Sequence, residues 1–242
     1  GVVHASADGG YDIYVAKIQK DGTPASATII EGDKDSATDA NDLDDFAVEI
    51  NRTDAGGYII AGSTRNLDGS DMWIVEVSSA IAEVSATQAD RKTFGSATND
   101  EYGNSAIQTT DGGYAIAGYT YSSGSGQSDF FIVKDGGSYQ WEKIIGGSND
   151  DKATSIRQTS DGGFIVAGST LSFGNGQSDI MLVKLDEEGN EEWRQTYGGV
   201  SDDFATAVKQ TPDGGFVVSG YKLGSMYDAL LIKTNSVGVQ EF

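Results

Sequence analysis

GFIVAGSTLSFGNGQSDIMLVKLDEEGNEEWRQTYGG, from Gly163 to Gly199, is one copy of a unit that recurs along the chain. With the preceding ATSIRQT it reads as four short strands. Strand A is Ala153–Thr159, strand B Gly163–Thr170, strand C Asp179–Leu185 and strand D Glu191–Tyr197. Strands B and C are nearly continuous apolar runs, as expected where both faces of a sheet are covered. Strand D is more polar and alternates, which suits an outer edge. Strand A carries small residues, Ala153 and Ser155, that suit a crowded centre.

Three landmarks carry the repeat through the sequence. A diglycine before an aromatic occurs at Gly56-Gly57-Tyr58, Gly112-Gly113-Tyr114, Gly162-Gly163-Phe164 and Gly214-Gly215-Phe216, at spacings of 56, 50 and 52 residues. An aspartate opens an apolar strand C at Asp12, Asp71, Asp129, Asp179 and Asp228. An acidic pair has its second member 11 residues before each diglycine: Asp44-Asp45, Asp100-Glu101, Asp150-Asp151 and Asp202-Asp203. Sheets covered on both faces and repeated at this period are best satisfied by radial stacking. The expected fold is therefore all-β: a five-bladed β-propeller of four-stranded antiparallel blades. It forms a single domain over 1–242, with blades near 1–32, 44–95, 100–147, 150–199 and 202–242. A two-sheet sandwich is the alternative, but it leaves the recurrence unexplained.

The order GxxxAG, then D-x-x-x-VKLD-x-x-G-x-x-xW, resembles two propeller groups. Kelch repeats end strand B in a diglycine and place a tryptophan on strand D. Quinoprotein-type blades read GVVYxGS…LYALDxxTGxxxW. The chain most resembles the DGGY/VKLD repeats of secreted bacterial and archaeal surface proteins. Trp141 and Trp193 hold the strand-D aromatic position, Phe242 replaces tryptophan there, and Asp90 takes it in the second repeat. The resemblance implies a fold and a cell-surface setting, and brings no quinone cofactor with it.

The chain has 242 residues, 33 of them glycine and two proline, and a net charge of -21. Such acidity repels phosphate backbones and anionic lipid, so neither nucleic acid nor a membrane surface is an expected partner. No apolar run approaches a membrane span, so insertion is not expected. The absence of cysteine excludes disulfides, thiolate catalysis and zinc–thiolate sites. An acidic, lysine-poor composition fits a secreted prokaryotic protein or one adapted to salt, and the expected location is extracellular or at the cell surface.

The connections TTDGGY, TSDGGF and TPDGGF are hairpin turns in which glycine supplies a positive φ. In an up-and-down blade the D–A and B–C connections share one face. That face gathers Asp71, Asp129, Asp179 and Asp228 with the four acidic pairs. Together with Gln127 and Gln177 of the loops Tyr121–Asp129 and Leu171–Asp179, it is the expected ligand-binding face. The carboxylates either cap backbone amides between blades or hold a cation, for which hard oxygen ligands suit calcium. The best local calcium candidate is the run Asp33, Asp35, Asp39, Asp42, Asp44 and Asp45, although it lacks the glycine of an EF-hand loop.

Catalysis is not expected. His4 is the only histidine, in the first strand B. A five-bladed glycosidase needs two opposed carboxylates near the axis. On strand A the only acid is Glu49, aligned with Ser105, Ser155 and Ala207. The expected function is a non-enzymatic extracellular module that binds a glycan or a protein. The alternative is an assembly subunit of a surface layer or filament. Four strands A stand against five strands C, so the first blade lacks its inner strand. Either a continuation of the chain or a neighbouring subunit is expected to supply it, the latter making self-assembly part of the function.

Overall fold

The computed structural model describes residues 2–4, 11–30, 44–66, 69–78, 91–96, 100–122 and 124–242. These residues form antiparallel strands, with no helix among them. The chain divides into two compact units, 1–108 and 109–242, with the division inside the third repeat.

In the first unit, β1 (Val2–His4), β2 (Tyr11–Ile18) and β3 (Pro24–Ile30) form a sheet in that order. A second sheet runs β4 (Asp45–Arg52), β5 (Tyr58–Asn66), β6 (Gly69–Val77) and β7 (Arg91–Phe94). The unit ends on β8 (Glu101–Gln108). Ile13, Val15 and Ile30 of the first sheet pack against Ile60, Trp73, Val75 and Val77 of the second.

The second unit opens with β9 (Tyr114–Thr120), β10 (Asp129–Asp135) and β11 (Trp141–Ile145). A four-stranded sheet follows: β12 (Asp151–Gln158), β13 (Phe164–Thr170), β14 (Asp179–Leu185) and β15 (Glu191–Tyr197). Strands C and D fall where the sequence places them, and A and B differ by one or two residues at their ends. β14 is buried at every position, which explains its nearly continuous apolar run. The last sheet is β16 (Asp202–Gln210), β17 (Phe216–Leu223) and β18 (Tyr227–Thr234). The chain then turns back, with a bridge between Thr234 and Gln240 and a bond from Glu241 N–H to Lys233 O. Ile165, Ala167, Ile180 and Leu182 pack against Phe216, Val218 and Ile232 between the last two sheets. Each such aliphatic or aromatic side chain, fully buried, contributes about 1.5–3 kcal/mol.

Three devices join one repeat to the next, each within a single unit, and a fourth fastens a turn within its own repeat. Trp141 meets Phe164 edge-on with ring centres 5.5 Å apart, and Trp193 meets Phe216 at 5.7 Å. The strand-D tryptophan thus seats on the aromatic that follows the next repeat's diglycine. A strand-A glutamine reaches back to the previous turn: Gln108 accepts from Asp54 N–H (2.7 Å), Gln158 from Thr110 (2.9 Å) and Gln210 from Ser160 (2.8 Å). Strand A carries a bulge at one place in three repeats, between Ala47 and Glu49, Ala153 and Ser155, and Ala205 and Ala207. The extra residue in β12, Thr154, sends its hydroxyl toward Ala205 O of β16 at 3.0 Å.

The fourth device sits at the A–B turns. Gly162 takes a φ of 88°, which a side chain would strain. Asp161 accepts from the Thr159 hydroxyl and from Gly163 N–H (3.1 Å), closing the turn. The buried strand-C lysine then pairs with it, Lys184 Nζ to Asp161 Oδ2 at 3.1 Å. The same pairing joins Lys134 to Asp111 (3.2 Å) and Lys233 to Asp213 (2.9 Å). In the second repeat Ala55 and Glu76 replace both partners together.

Candidate functional site

The strand-C aspartates and the acidic pairs meet between successive repeats. β10 begins at Asp129 and β12 at Asp151, so each side chain starts a strand at the same end of its sheet. Asp129 Oδ2 accepts from Ser125 N–H at 3.0 Å, within its own B–C loop. Asp151 Oδ2 accepts from Gly147 N–H at 2.7 Å, within the D–A turn. One repeat later, Asp179 Oδ2 accepts from Asn175 N–H (2.6 Å) and Asp203 Oδ2 from Gly199 N–H (3.0 Å). In the first unit Glu101 Oε2 accepts from Ser96 N–H at 2.9 Å.

The first member of each acidic pair ties the D–A turn to the B–C loop of the repeat before. Asp100 accepts from Ser70 N–H (2.8 Å), Asp150 from the Ser128 hydroxyl (2.7 Å) and Asp202 from Ser178 N–H (3.0 Å). Backbone bonds run alongside, Asp151 N–H to Ser128 O and Asp203 N–H to Ser178 O, both 2.6 Å. Capping and blade-joining are thus one use of these carboxylates.

A glycine stands beside each pair because the carboxylates occupy the space a side chain would need. A Cβ on Gly146 would overlap Asp129 Oδ1 and lie 2.8 Å from Asp151 Oδ2. On Gly198 it would overlap Asp179 Oδ1 and lie 2.9 Å from Asp203 Oδ2. On Gly95 it would meet Asp71 Oδ1 at 2.5 Å and overlap Glu101. Burial pushes the Asp129 carboxyl up from its ordinary range and the Asp151 charge adds to this, against the Ser125 N–H. Burial and the Asp203 charge do the same to Asp179, against Asn175 N–H.

Around these buried groups lies an exposed strip of the second unit. Tyr121, 43% exposed, stands edge-on to Tyr119, and Lys152 Nζ lies 3.2 Å from its hydroxyl and 4.9 Å from the Tyr119 ring centre. Gly126 approaches Asn149 O, and Asn149 in turn bonds the next loop, its N–H to Ser172 Oγ (3.0 Å) and its amide to Leu171 O (3.1 Å). The strip continues through Leu171, 45% exposed, to Phe173, over which Arg194 sits at 5.3 Å.

The expected site residues take different places. Asp129 and Asp179 are 1% exposed, so their carboxylates face their acidic partners rather than a bulky ligand. Asp71 is half-buried beside Glu101, and Gln127, Gln177 and Asp228 are exposed. Asp33, Asp35, Asp39 and Asp42 lie outside the described residues, as does Asp90; of that run, Asp45 is buried at the start of β4 and the carbonyl of Asp44 accepts from Arg65 N–H at 2.9 Å. Among the described residues no three acidic, histidine or cysteine side chains gather as a metal cluster, and no helix is long and apolar enough to cross a membrane. Two features went unread in the sequence: the strand-A glutamine and the strand-C lysine. The recurring Q-T and V-K/I-K pairs were their signal.

No family model matches the chain, and no curated protein does. Among solved structures the chain is similar to a candidate exo-beta-1,3-galactanase from Bifidobacterium bifidum s17, with 12% identity and a TM-score of 0.46, over 96% of this chain and 81% of that one. The expectation that this chain is not an enzyme is corrected on that finding: the similar structure is named for a glycoside hydrolase, the class the sequence reading set aside, so the exclusion does not stand. At that TM-score the likeness transfers no activity and no catalytic residue.

Proposed function

We propose that the chain is a five-bladed β-propeller whose B–C and D–A loops form a carbohydrate-binding face outside the cell. One observation carries the reading: the exposed ring of Tyr121 has the Lys152 ammonium 3.2 Å from its hydroxyl, at the start of a loop that also carries the exposed Gln127. An exposed aromatic face offers apolar contact to a sugar ring, and amide and ammonium groups beside it bond hydroxyls. The loop recurs one repeat later with Leu171, Phe173 and Gln177, so two such places stand side by side, and pairing weak sites raises avidity. The chain carries a net charge of -21, which favours neutral glycans over anionic ones. A glycan array probed with the labelled chain tests this. Saturable binding to neutral glycans is expected; binding to none, with a protein captured instead through the same loops, would replace the ligand class.

A second reading, an assembly subunit, is favoured by the outer side of the last sheet. There Tyr227 is 72% exposed, Leu231 58% and Phe242 68%. Apolar surface of this kind is used in contacts between chains. Concentration-dependent mass by light scattering, abolished by Leu231→Lys, would establish it.

A further inference from the structure

The carboxylate pairs between repeats have a property that capping does not use. Backbone N–H groups satisfy Oδ2 of Asp129, Asp151 and Asp179. Oδ1 of each is buried and has no hydrogen-bond partner among the described residues. The three residues are 1%, 0% and 1% exposed. Leaving a charged oxygen buried without a donor or a cation is costly. The nearby guanidinium of Arg194 is committed elsewhere, in a two-pronged bond to Glu191 at 2.6 and 2.7 Å.

Two observations describe what would satisfy these atoms. The orphaned Asp129 Oδ1 and a second carboxylate oxygen, Asp151 Oδ2, converge on the space left by Gly146, and Asp179 Oδ1 with Asp203 Oδ2 on that left by Gly198. Carbonyl oxygens crowd the same turns: Gly147 O and Asn149 O lie 2.5 and 2.6 Å from the position of a Cβ on Gly126, and Gly199 O lies 2.5 Å from one on Gly176. The groups that converge on each gap are carboxylate oxygens, with backbone carbonyls in the adjoining turns. That set belongs to hard divalent cations, calcium above all, which accept irregular geometry and carbonyl ligands.

We propose that the pairs Asp129–Asp151 and Asp179–Asp203 are two divalent-cation sites of the calcium type, one at each junction between successive repeats of the second unit. A cation there offsets the repulsion of two buried carboxylates and ties strand C of one repeat to strand A of the next. The sites adjoin the exposed loop strip at the Asn149 turn but do not rest on the carbohydrate reading.

The test is titration of calcium chloride into the chelator-treated full chain at 0.15 M salt, by calorimetry, with melting temperature followed in parallel and no glycan present. Saturable uptake with a Kd of about 10⁻⁴ M or tighter is expected, with a rise in Tm. Asp129→Asn is expected to remove one equivalent and Asp129→Asn/Asp179→Asn two, each altered site weakening at least tenfold. Magnesium at the same concentration is expected to raise Tm less. No saturable uptake by the wild-type chain overturns the proposal, and so does uptake that both variants leave unchanged. Should the double variant not fold, the wild-type and single-variant titrations decide. Failure here leaves the loop strip untouched, and failure of the glycan array leaves these sites untouched.

Discussion

Asp111→Ala probes the ion pair that fastens an A–B turn to its own strand C. Lys134 is nearly buried, with a side chain 2% exposed, and its Nζ reaches Asp111 Oδ2 (3.2 Å), Gly136 O (2.6 Å) and Tyr139 O (3.4 Å). Burial alone would raise the Asp111 carboxyl. Bonds from the Thr109 hydroxyl, Ser138 and Gly113 N–H and Lys134 outweigh it and hold the group well below the usual carboxylate range. Removing the carboxylate strands a buried ammonium on two carbonyls and opens the turn, at a cost of about 3 kcal/mol. Lys134→Met keeps the apolar stem and leaves Asp111 its three other donors, costing about 1 kcal/mol. The double variant removes both charges and should cost about 2 kcal/mol, a coupling near 2 kcal/mol. Urea unfolding followed by tryptophan fluorescence gives all three values, since Trp141 and Trp193 lie in the same unit. Additive costs, within about 0.5 kcal/mol, would refute the pairing as the source of stability.

Two further perturbations follow from single contacts. Burial pushes the Tyr197 phenol up to about 12, and its hydroxyl donates to Gly238 O at 2.5 Å; because the folded value lies above the unfolded value near 10, the stability it supplies is complete below pH 10 and lost as pH rises towards 12. Tyr197→Phe should therefore cost about 1 kcal/mol at pH 7 and flatten the alkaline limb of a stability–pH curve; an unchanged limb would count against it. Gly146→Ala should cost about 1–3 kcal/mol through overlap with the Asp129 carboxylate, and Asp129→Ala in the same chain should recover most of that cost, whereas no recovery would mean the close approach lies elsewhere.

The repeat was legible because its landmarks are contacts. The strand-D tryptophan and the post-diglycine aromatic recur together since one seats on the other across the junction, as Trp193 does on Phe216. Strand C was legible to the residue in β14, where a nearly continuous apolar run opens on an aspartate and closes before a turn. The strand-C lysine was not. At Lys184 strict alternation reads a charged residue as solvent-facing, whereas its long stem lies buried and its ammonium doubles back to Asp161. The meeting of Asp129 with Asp151, or Asp179 with Asp203, could be inferred only as a shared face. Their burial depends on glycines at 146 and 198 admitting two carboxylates into one gap, which spacing alone does not reveal. Tyr121 opens the loop Tyr121–Asp129, but its contact with Lys152, which reaches it from a strand 31 residues on, is not visible from local sequence.

The central claim, that the loop strip of the second unit receives a carbohydrate, is tested most directly by titrating an array-identified neutral glycan into the wild-type chain and into Tyr121→Ala and Gln127→Ala. The account predicts at least tenfold weaker binding in Tyr121→Ala, a smaller loss in Gln127→Ala, and unchanged melting temperatures in both. Binding unaffected by Tyr121→Ala, in a variant that melts with the wild type, would contradict it.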